Sequence, residues 1–180
     1  MIDWARQIHV KNPAEIEIMQ EAGRINATVH ATVRELLKPG VTTADLNAAA
    51  EEVLRKHNAV SPFKNYPGPY PYPASITVCI NEELVHGIPS KKRKLKEGDI
   101  VSVDCGTVFG GFVADSAFSA GVGKLSSASQ KLLDVTEGAL MAGIDKMRAG
   151  NRTGDVSAAI QKYVESRGFY VTREYTGHGV

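Results

Sequence analysis

The sequence has few cysteines, no long apolar run and almost no net charge, and each absence narrows the class of protein. The two cysteines, Cys79 and Cys105, lie in apolar, strand-like segments without metal-binding spacing, which indicates buried thiols in a reducing environment. A disulfide between them is the open alternative. No stretch approaches the length of a membrane span, and Asp3, Arg6 and Lys11 interrupt any signal-like apolar run. We therefore expect a cytoplasmic protein without membrane contact.

The charge balance argues against specific DNA binding. The formal net charge is +1, and the 43% of hydrophobic residues predict one globular domain spanning residues 1–180. Five basic residues nevertheless crowd together: Lys91, Lys92, Arg93, Lys94 and Lys96. We interpret them as a solvated connecting loop, with a nucleic-acid contact as the alternative.

Residues 99–118, DIVSVDCGTVFGGFVADSAF, predict a hairpin that carries two acids on one face. A two-residue turn at Gly110 and Gly111 would set the register. The facing pairs are then Asp104 with Ala117 and Gly106 with Asp115. The two aspartates become diagonal neighbours with Cα atoms roughly 7–8 Å apart, so their carboxylates can converge on a metal ion or a shared proton. The opposite face would carry the core residues Val101, Val103 and Cys105. The alternative is a pair of solvated acids beside a turn.

The chain also repeats itself with an offset of 110 residues. The matched pairs are Gly40 and Gly150, Thr43 and Thr153, Asp45 and Asp155, Ala48 and Ala158, and Ala49 and Ala159. Each copy predicts a helix, a glycine stop and a second capped helix. The predicted helices span 13–38 and 43–57 in the first copy, and 127–148 and 154–167 in the second. In the first helix an imperfect buried face is traced by Ile16, Met19, Gly23, Asn26, Val29 or His30, and Val33.

The first copy continues into a Pro- and Tyr-rich loop (61–73), a strand at about 75–80 and the hairpin. By the same offset, the second copy needs strands at about 185–190 and 210–228. We therefore expect the chain to end inside its second half, with halves of about 12–125 and 126–180 and with apolar helix faces left uncovered.

Two histidines add to the acidic pair. His86 lies in NEELVHGIPS before a Gly-Ile-Pro turn, and His178 lies between glycines in REYTGHGV. Taken singly, each is more typical of a structural or surface histidine. Together with Asp104 and Asp115 they make a mixed nitrogen and oxygen donor set that suits Zn, Mn, Fe or Co ions.

The blocks NEELVHGIP, GDIVSVDCGTVFGGFVADSA and REYTGHGV resemble the bacterial-type methionine aminopeptidases, type I, over essentially the whole chain. The resemblance implies an α/β (α+β) pita-bread fold of the creatinase/aminopeptidase kind, with two pseudo-twofold halves. It implies removal of the initiator methionine from nascent proteins by metal-assisted hydrolysis at a centre of two divalent ions (Co, Mn, Fe or Zn). The partners it implies are the N-terminal methionine of nascent chains and a transient ribosome contact, with a monomeric enzyme.

Residue by residue, the resemblance implies that Asp104 chelates one ion, Asp115 bridges both and His178 binds the second. His86 is implied as the catalytic, substrate-binding histidine that contacts the scissile amide, and Tyr72 and Thr77 as contacts of the methionine pocket. The family's two ligand glutamates and a further histidine follow the GHG motif, beyond Val180. We therefore expect weak or mononuclear metal binding and little activity from these 180 residues.

Two other functions compete with this one. A non-catalytic pita-bread module that binds peptides or the ribosome agrees with the missing glutamates and the basic run. However, every ligand that the chain is long enough to contain is present, which favours the enzyme. A proline-directed peptidase of the same fold is disfavoured because no additional N-terminal domain precedes the helices.

Overall fold

The computed structural model describes residues 9–180. Its elements follow in the order α1 (Pro13–Glu35), α2 (Thr43–Lys56), β1 (Ile76–Ile80), β2 (Ile100–Phe109), β3 (Phe112–Gly121), α3 (Ser127–Lys146) and α4 (Thr153–Glu165). The predicted helix pairs, strand and hairpin are confirmed, and the helices end between one and three residues before the predicted ends. None of the helices in this described part is both long and apolar enough to cross a membrane.

The chain divides into two compact units. The first contains the described residues up to Val122 together with Val180, and it holds α1, α2 and the sheet. The second is Gly123–Gly179 and holds α3 and α4. The proposed halves of a single 1–180 domain, with their boundary at about residue 125, stay a prediction.

Helix α1 begins at a capping box and packs one side against the sheet. The Asn12 side chain accepts a hydrogen bond from the Glu15 amide (3.1 Å), and the Glu15 carboxylate accepts one from the Asn12 amide (2.8 Å). The buried positions are Ala22, Ile25, Asn26, Val29 and Val33. Ile16, which the sequence placed on this face, is 44% exposed, because the buried stripe begins one turn later.

The two short helices share one half of their caps, and only α2 adds a bond from the Asp45 amide to the Thr42 hydroxyl. Gly40 and Gly150, which precede α2 and α4, have φ values of 91° and 96°. The Asp45 carboxylate accepts the Thr42 amide (2.9 Å), and the Asp155 carboxylate accepts the Arg152 amide (2.7 Å). The structure therefore supports the 110-residue repeat at the level of individual backbone bonds.

The three strands form an antiparallel sheet in the order β1-β2-β3. Gly110 and Gly111 form the β2–β3 turn with φ values of 57° and 83°, as a two-residue hairpin turn requires. The turn also touches α1, since a Cβ added at Gly110 would lie 2.7 Å from the Ile18 Cγ2. The hairpin tip is thus held against the helix.

One face of the sheet closes the core. The buried residues on this face are Ile76, Val78, Val101, Val103 and Cys105, which pack with the apolar sides of α1 and α2. Cys79 and Cys105 are both free and buried, as predicted. The opposite face is left for polar groups.

In the second unit α3 and α4 approach closely at glycines. A Cβ at Gly138 would lie 2.1 Å from the Tyr163 hydroxyl oxygen, and one at Gly143 would lie 2.9 Å from Ile160. Several apolar side chains of this unit stay exposed, among them Leu140, Met141, Ile144 and Met147.

Candidate active site

The hairpin places both aspartates on the polar face of the sheet. Asp104 on β2 pairs with Ala117, and Asp115 on β3 pairs with Gly106, which is the register predicted from the turn. Both side chains are half-buried rather than fully solvated. Positions 104 and 106 lie on the same side of β2, and Asp115 faces Gly106 from β3. Asp104 and Asp115 are therefore diagonal neighbours on one face.

The negative charge of the pair reaches neighbouring groups. Burial is the main cause that raises the pKa of the Cys105 thiol to about 12, and the charges of Asp104 and Asp115 both add to it. Two half-buried carboxylates on one face are hard oxygen donors, the ligand type that divalent cations take in proteins. These residues therefore fit a divalent cation.

Thr77 lies on β1 directly opposite Asp104 and is buried. Tyr72 is half-buried beside this strand, and its hydroxyl donates to the carbonyl oxygens of Ile76 (3.2 Å) and Gly87 (3.1 Å). Burial, followed by the charges of Cys79 and Asp104, raises the pKa of Tyr72 well above its ordinary value. Tyr72 and Thr77 thus both lie close to Asp104.

His86 is exposed at the start of the segment that runs along the outer edge of β1. Its backbone is left-handed, with φ 59°, which is uncommon for a residue other than glycine. The next residue, Gly87, accepts a hydrogen bond from the Val78 amide of β1 (2.9 Å). The backbone of His86 is therefore fixed next to the strand while its imidazole stays accessible.

His178 lies in the second unit, where it is exposed and its Nδ1 is 3.1 Å from the Gly179 carbonyl oxygen. Over residues 9–180 the structure brings no three His, Cys, Asp or Glu side chains into a group that could hold a metal. It therefore brings Asp104 and Asp115 onto one face but does not assemble a three-residue ligand set. The roles of these residues as ligands stay predictions.

Two features of this region were not predicted from the sequence. Pro62 and Phe63 cover Gly106 so closely that an added Cβ there would lie 2.5 Å from the Pro62 Cγ. The Pro- and Tyr-rich loop thus reaches the aspartate face.

In the basic run the four lysines are exposed, as a solvated loop requires. The prediction of a solvated loop is wrong for Arg93, because its side chain is only 25% exposed and bonds to β1. Arg93 is the only arginine of the run, but the run does not show which acceptors elsewhere in the chain it meets.

Comparison with known proteins extends these findings. Residues 17–180 match the model of metallopeptidase family M24. The chain is 47% identical over 173 residues to the methionine aminopeptidase of Clostridium acetobutylicum, covering 96% of this chain and 68% of that protein. It is 46% identical to methionine aminopeptidase 1 of Bacillus subtilis, covering 94% of this chain and 67% of that protein.

A solved structure gives the same result for the fold. The crystal structure of methionine aminopeptidase from Thermotoga maritima superimposes with a TM-score of 0.92 at 42% identity, covering 96% of this chain and 68% of that one. The predicted α/β pita-bread fold is confirmed, and the family implies a requirement for divalent metal. With sequence and fold in agreement along nearly its whole length, this chain belongs to the methionine aminopeptidases of metallopeptidase family M24.

Proposed function

We propose that this enzyme removes the initiator methionine from nascent polypeptides by metal-dependent hydrolysis of the first peptide bond. The observation that carries the proposal is the diagonal placement of Asp104 and Asp115 on one half-buried face of the hairpin. Diagonal neighbours on one face of a sheet can direct their two carboxylates toward a shared cation or a shared proton. The family membership favours a cation.

The carboxylates and His178 would hold the metal. In this proposal Asp104 would be a ligand of one ion, Asp115 a ligand of both, and His178 a ligand of the second. Two divalent ions of Co, Mn, Fe or Zn suit this mixed oxygen and nitrogen donor set. When bound, such ions supply Lewis acidity that polarises the scissile carbonyl and stabilises developing negative charge.

The remaining side chains would handle the substrate. His86 is exposed and has a fixed backbone, so its imidazole can bind the scissile amide and move a proton to or from it. Tyr72 and Thr77, on the polar side of β1 near Asp104, are proposed contacts of the methionine side chain. The Tyr72 hydroxyl donates to the Ile76 and Gly87 carbonyl oxygens, and these bonds hold the side chain in place.

We also propose a cytoplasmic monomer that meets its substrate near the ribosome. The support is the reducing environment implied by two free buried thiols and the exposed lysines Lys91, Lys92, Lys94 and Lys96. These lysines could contact ribosomal RNA phosphates transiently and in a salt-dependent manner.

The test is methionine release from a Met-Ala-Ser peptide by the protein expressed from its complete gene, with Mn²⁺, Co²⁺, Fe²⁺ or Zn²⁺ at saturating concentration. We expect release that falls at least about a hundredfold in Asp104→Asn and Asp115→Asn. Asp134→Asn, the same change at an exposed position of α3, should retain wild-type activity. Peptide binding without release in all four metals would instead support the non-catalytic binding module.

A further inference from the structure

We propose that Arg93 is a positioning residue for His86, because its guanidinium holds the segment around His86 against the outer edge of β1. The inference rests on the proposed function for what His86 does, but not for how its backbone is held.

The Arg93 guanidinium binds three different parts of the chain. Its Nη1 donates to the Val78 carbonyl oxygen on β1 (3.1 Å) and to the Ile88 carbonyl oxygen (3.1 Å). Its Nη2 forms an ion pair with the Glu83 carboxylate. A planar guanidinium can serve several acceptors at once in a fixed geometry, which a lysine ammonium cannot do in the same way.

These bonds lie on both sides of His86. Glu83 is three residues before it and Ile88 is two residues after it, so one side chain fastens both ends of the segment to Val78. This arrangement explains how His86 keeps a left-handed backbone with φ 59°, a conformation that persists only where the surroundings impose it.

Gly87 adds a second attachment at the same point. Its carbonyl accepts the Val78 amide (2.9 Å), and its amide donates to the Cys79 Sγ (3.4 Å). A Cβ at Gly87 would lie 2.2 Å from the Val78 carbonyl oxygen, so only glycine allows this approach. Val78 therefore uses its outward amide for Gly87 and its outward carbonyl for Arg93.

Arg93 itself is anchored in the fold. Its carbonyl accepts a hydrogen bond from the amide of Thr43, the first residue of α2 (2.9 Å). Two residues later Leu95 is buried in the core, and its amide donates to the Val41 carbonyl (2.8 Å). The guanidinium thus extends from a fixed backbone position, and its contacts are not those of a mobile surface side chain.

The experiment compares Arg93→Met with Arg93→Lys and with Arg55→Met, the same change at an exposed arginine of α2, in the protein expressed from its complete gene. Amide hydrogen exchange at Val78 and Gly87 reports on the segment, and exchange at Val29 and Val33 in α1 reports on the whole fold. The His86 Cα chemical shift and the kcat and KM of methionine release complete the measurement.

In Arg93→Met we expect exchange at Val78 and Gly87 to become about tenfold faster or more, while Val29 and Val33 keep their wild-type rates. The His86 shift should move away from the left-handed value, and kcat should fall about tenfold while KM changes less than about twofold. Arg93→Lys should give intermediate values, and Arg55→Met should match the wild type.

Unchanged exchange at Val78 and Gly87 in Arg93→Met would overturn the inference whatever the activity. Equal acceleration at all four amides would also overturn it, because Arg93 would then only stabilise the fold. Absence of methionine release from the wild-type protein would overturn the proposed function instead, and the exchange rates and His86 shift would still decide whether Arg93 holds the segment.

Discussion

Gly40 and Gly150, which are 110 residues apart, adopt the same left-handed backbone, with φ values of 91° and 96°. Each lies just before a helix whose first turn is closed by an aspartate, Asp45 or Asp155. An added Cβ would meet no atom within 4 Å at either glycine. The requirement for glycine at both positions is therefore conformational and not steric.

From this relationship we predict that Gly40→Ala and Gly150→Ala each lower the free energy of unfolding by about 1–2 kcal/mol, because alanine disfavours positive φ. Gly23 in α1 and Gly154 in α4 also have open space but helical backbones. Gly23→Ala and Gly154→Ala should instead raise stability by about 0.5–1 kcal/mol. Urea unfolding of the four variants decides the matter, and the same sign in all four would contradict the prediction.

A buried polar network beneath the aspartate face gives the second prediction. The Thr107 hydroxyl donates to the Asn26 side-chain oxygen (2.9 Å), and the Asn26 amide nitrogen donates to the Ser116 hydroxyl (2.8 Å). Thr107→Val leaves a buried oxygen of Asn26 without this donor and should cost about 1–3 kcal/mol of unfolding free energy.

The double variant Asn26→Leu with Thr107→Val removes both partners, so it should cost less than the sum of the two single changes. Ser119→Ala, which breaks an exposed bond to Ser102, serves as the control and should stay within about 0.5 kcal/mol of wild type. Strict additivity in a double-mutant cycle would show that the network contributes no coupling.

The third prediction concerns pH. Burial above all raises the pKa of Cys105 from 9.0 to about 12 in the folded protein. Between these values the unfolded thiol loses its proton while the folded thiol keeps it, so stability is full below pH 9 and falls as the pH rises, by at most about 1.4 kcal/mol per pH unit for this group.

Unfolding in urea at pH 8, 9 and 10 should therefore show a steeper loss of stability in the wild type than in Cys105→Val. The Tyr72 hydroxyl, whose pKa is also raised, contributes in the same direction to both proteins and cancels in the comparison. Parallel curves for the two proteins would contradict the assignment of the slope to Cys105.

Metal binding supplies the fourth prediction. The described residues offer a pair of carboxylates but no group of three potential ligands. Calorimetric titration of the 180-residue chain with Mn²⁺ should therefore give weak binding of roughly one ion. Asp104→Asn and Asp115→Asn should each abolish it, and Asp134→Asn should leave it intact. Tight binding of two ions would be incompatible with this expectation.

The sequence was sufficient for the hairpin because the local rule is strong. Two adjacent glycines between apolar runs allow the left-handed turn that sets the register, and the register then determines which face carries Asp104 and Asp115. Helix beginnings were also predictable, since Asn12 and Thr42 cap their helices through bonds to residues three positions away.

The features that escaped prediction depend on contacts between distant segments. The partial burial of Arg93 among exposed lysines depends on Val78 and Glu83, which its guanidinium meets only in the folded chain. Position 106 must be glycine because Pro62, which is distant in the sequence, leaves no room for a side chain there. Ile16 follows the helical period but lies beyond the part of α1 that the sheet covers.

The contact between Gly110 and Ile18 has a consequence for how this protein can vary. An extra residue in the β2–β3 turn would need space at the hairpin tip, and α1 already occupies that space. If the strand shifted by one position instead, Ser116 would replace Asp115 on the polar side, and the acid would enter the apolar interior. Insertions at this tip should therefore be far more harmful than insertions in the exposed stretch around Gly68, even though both sites lie in loops.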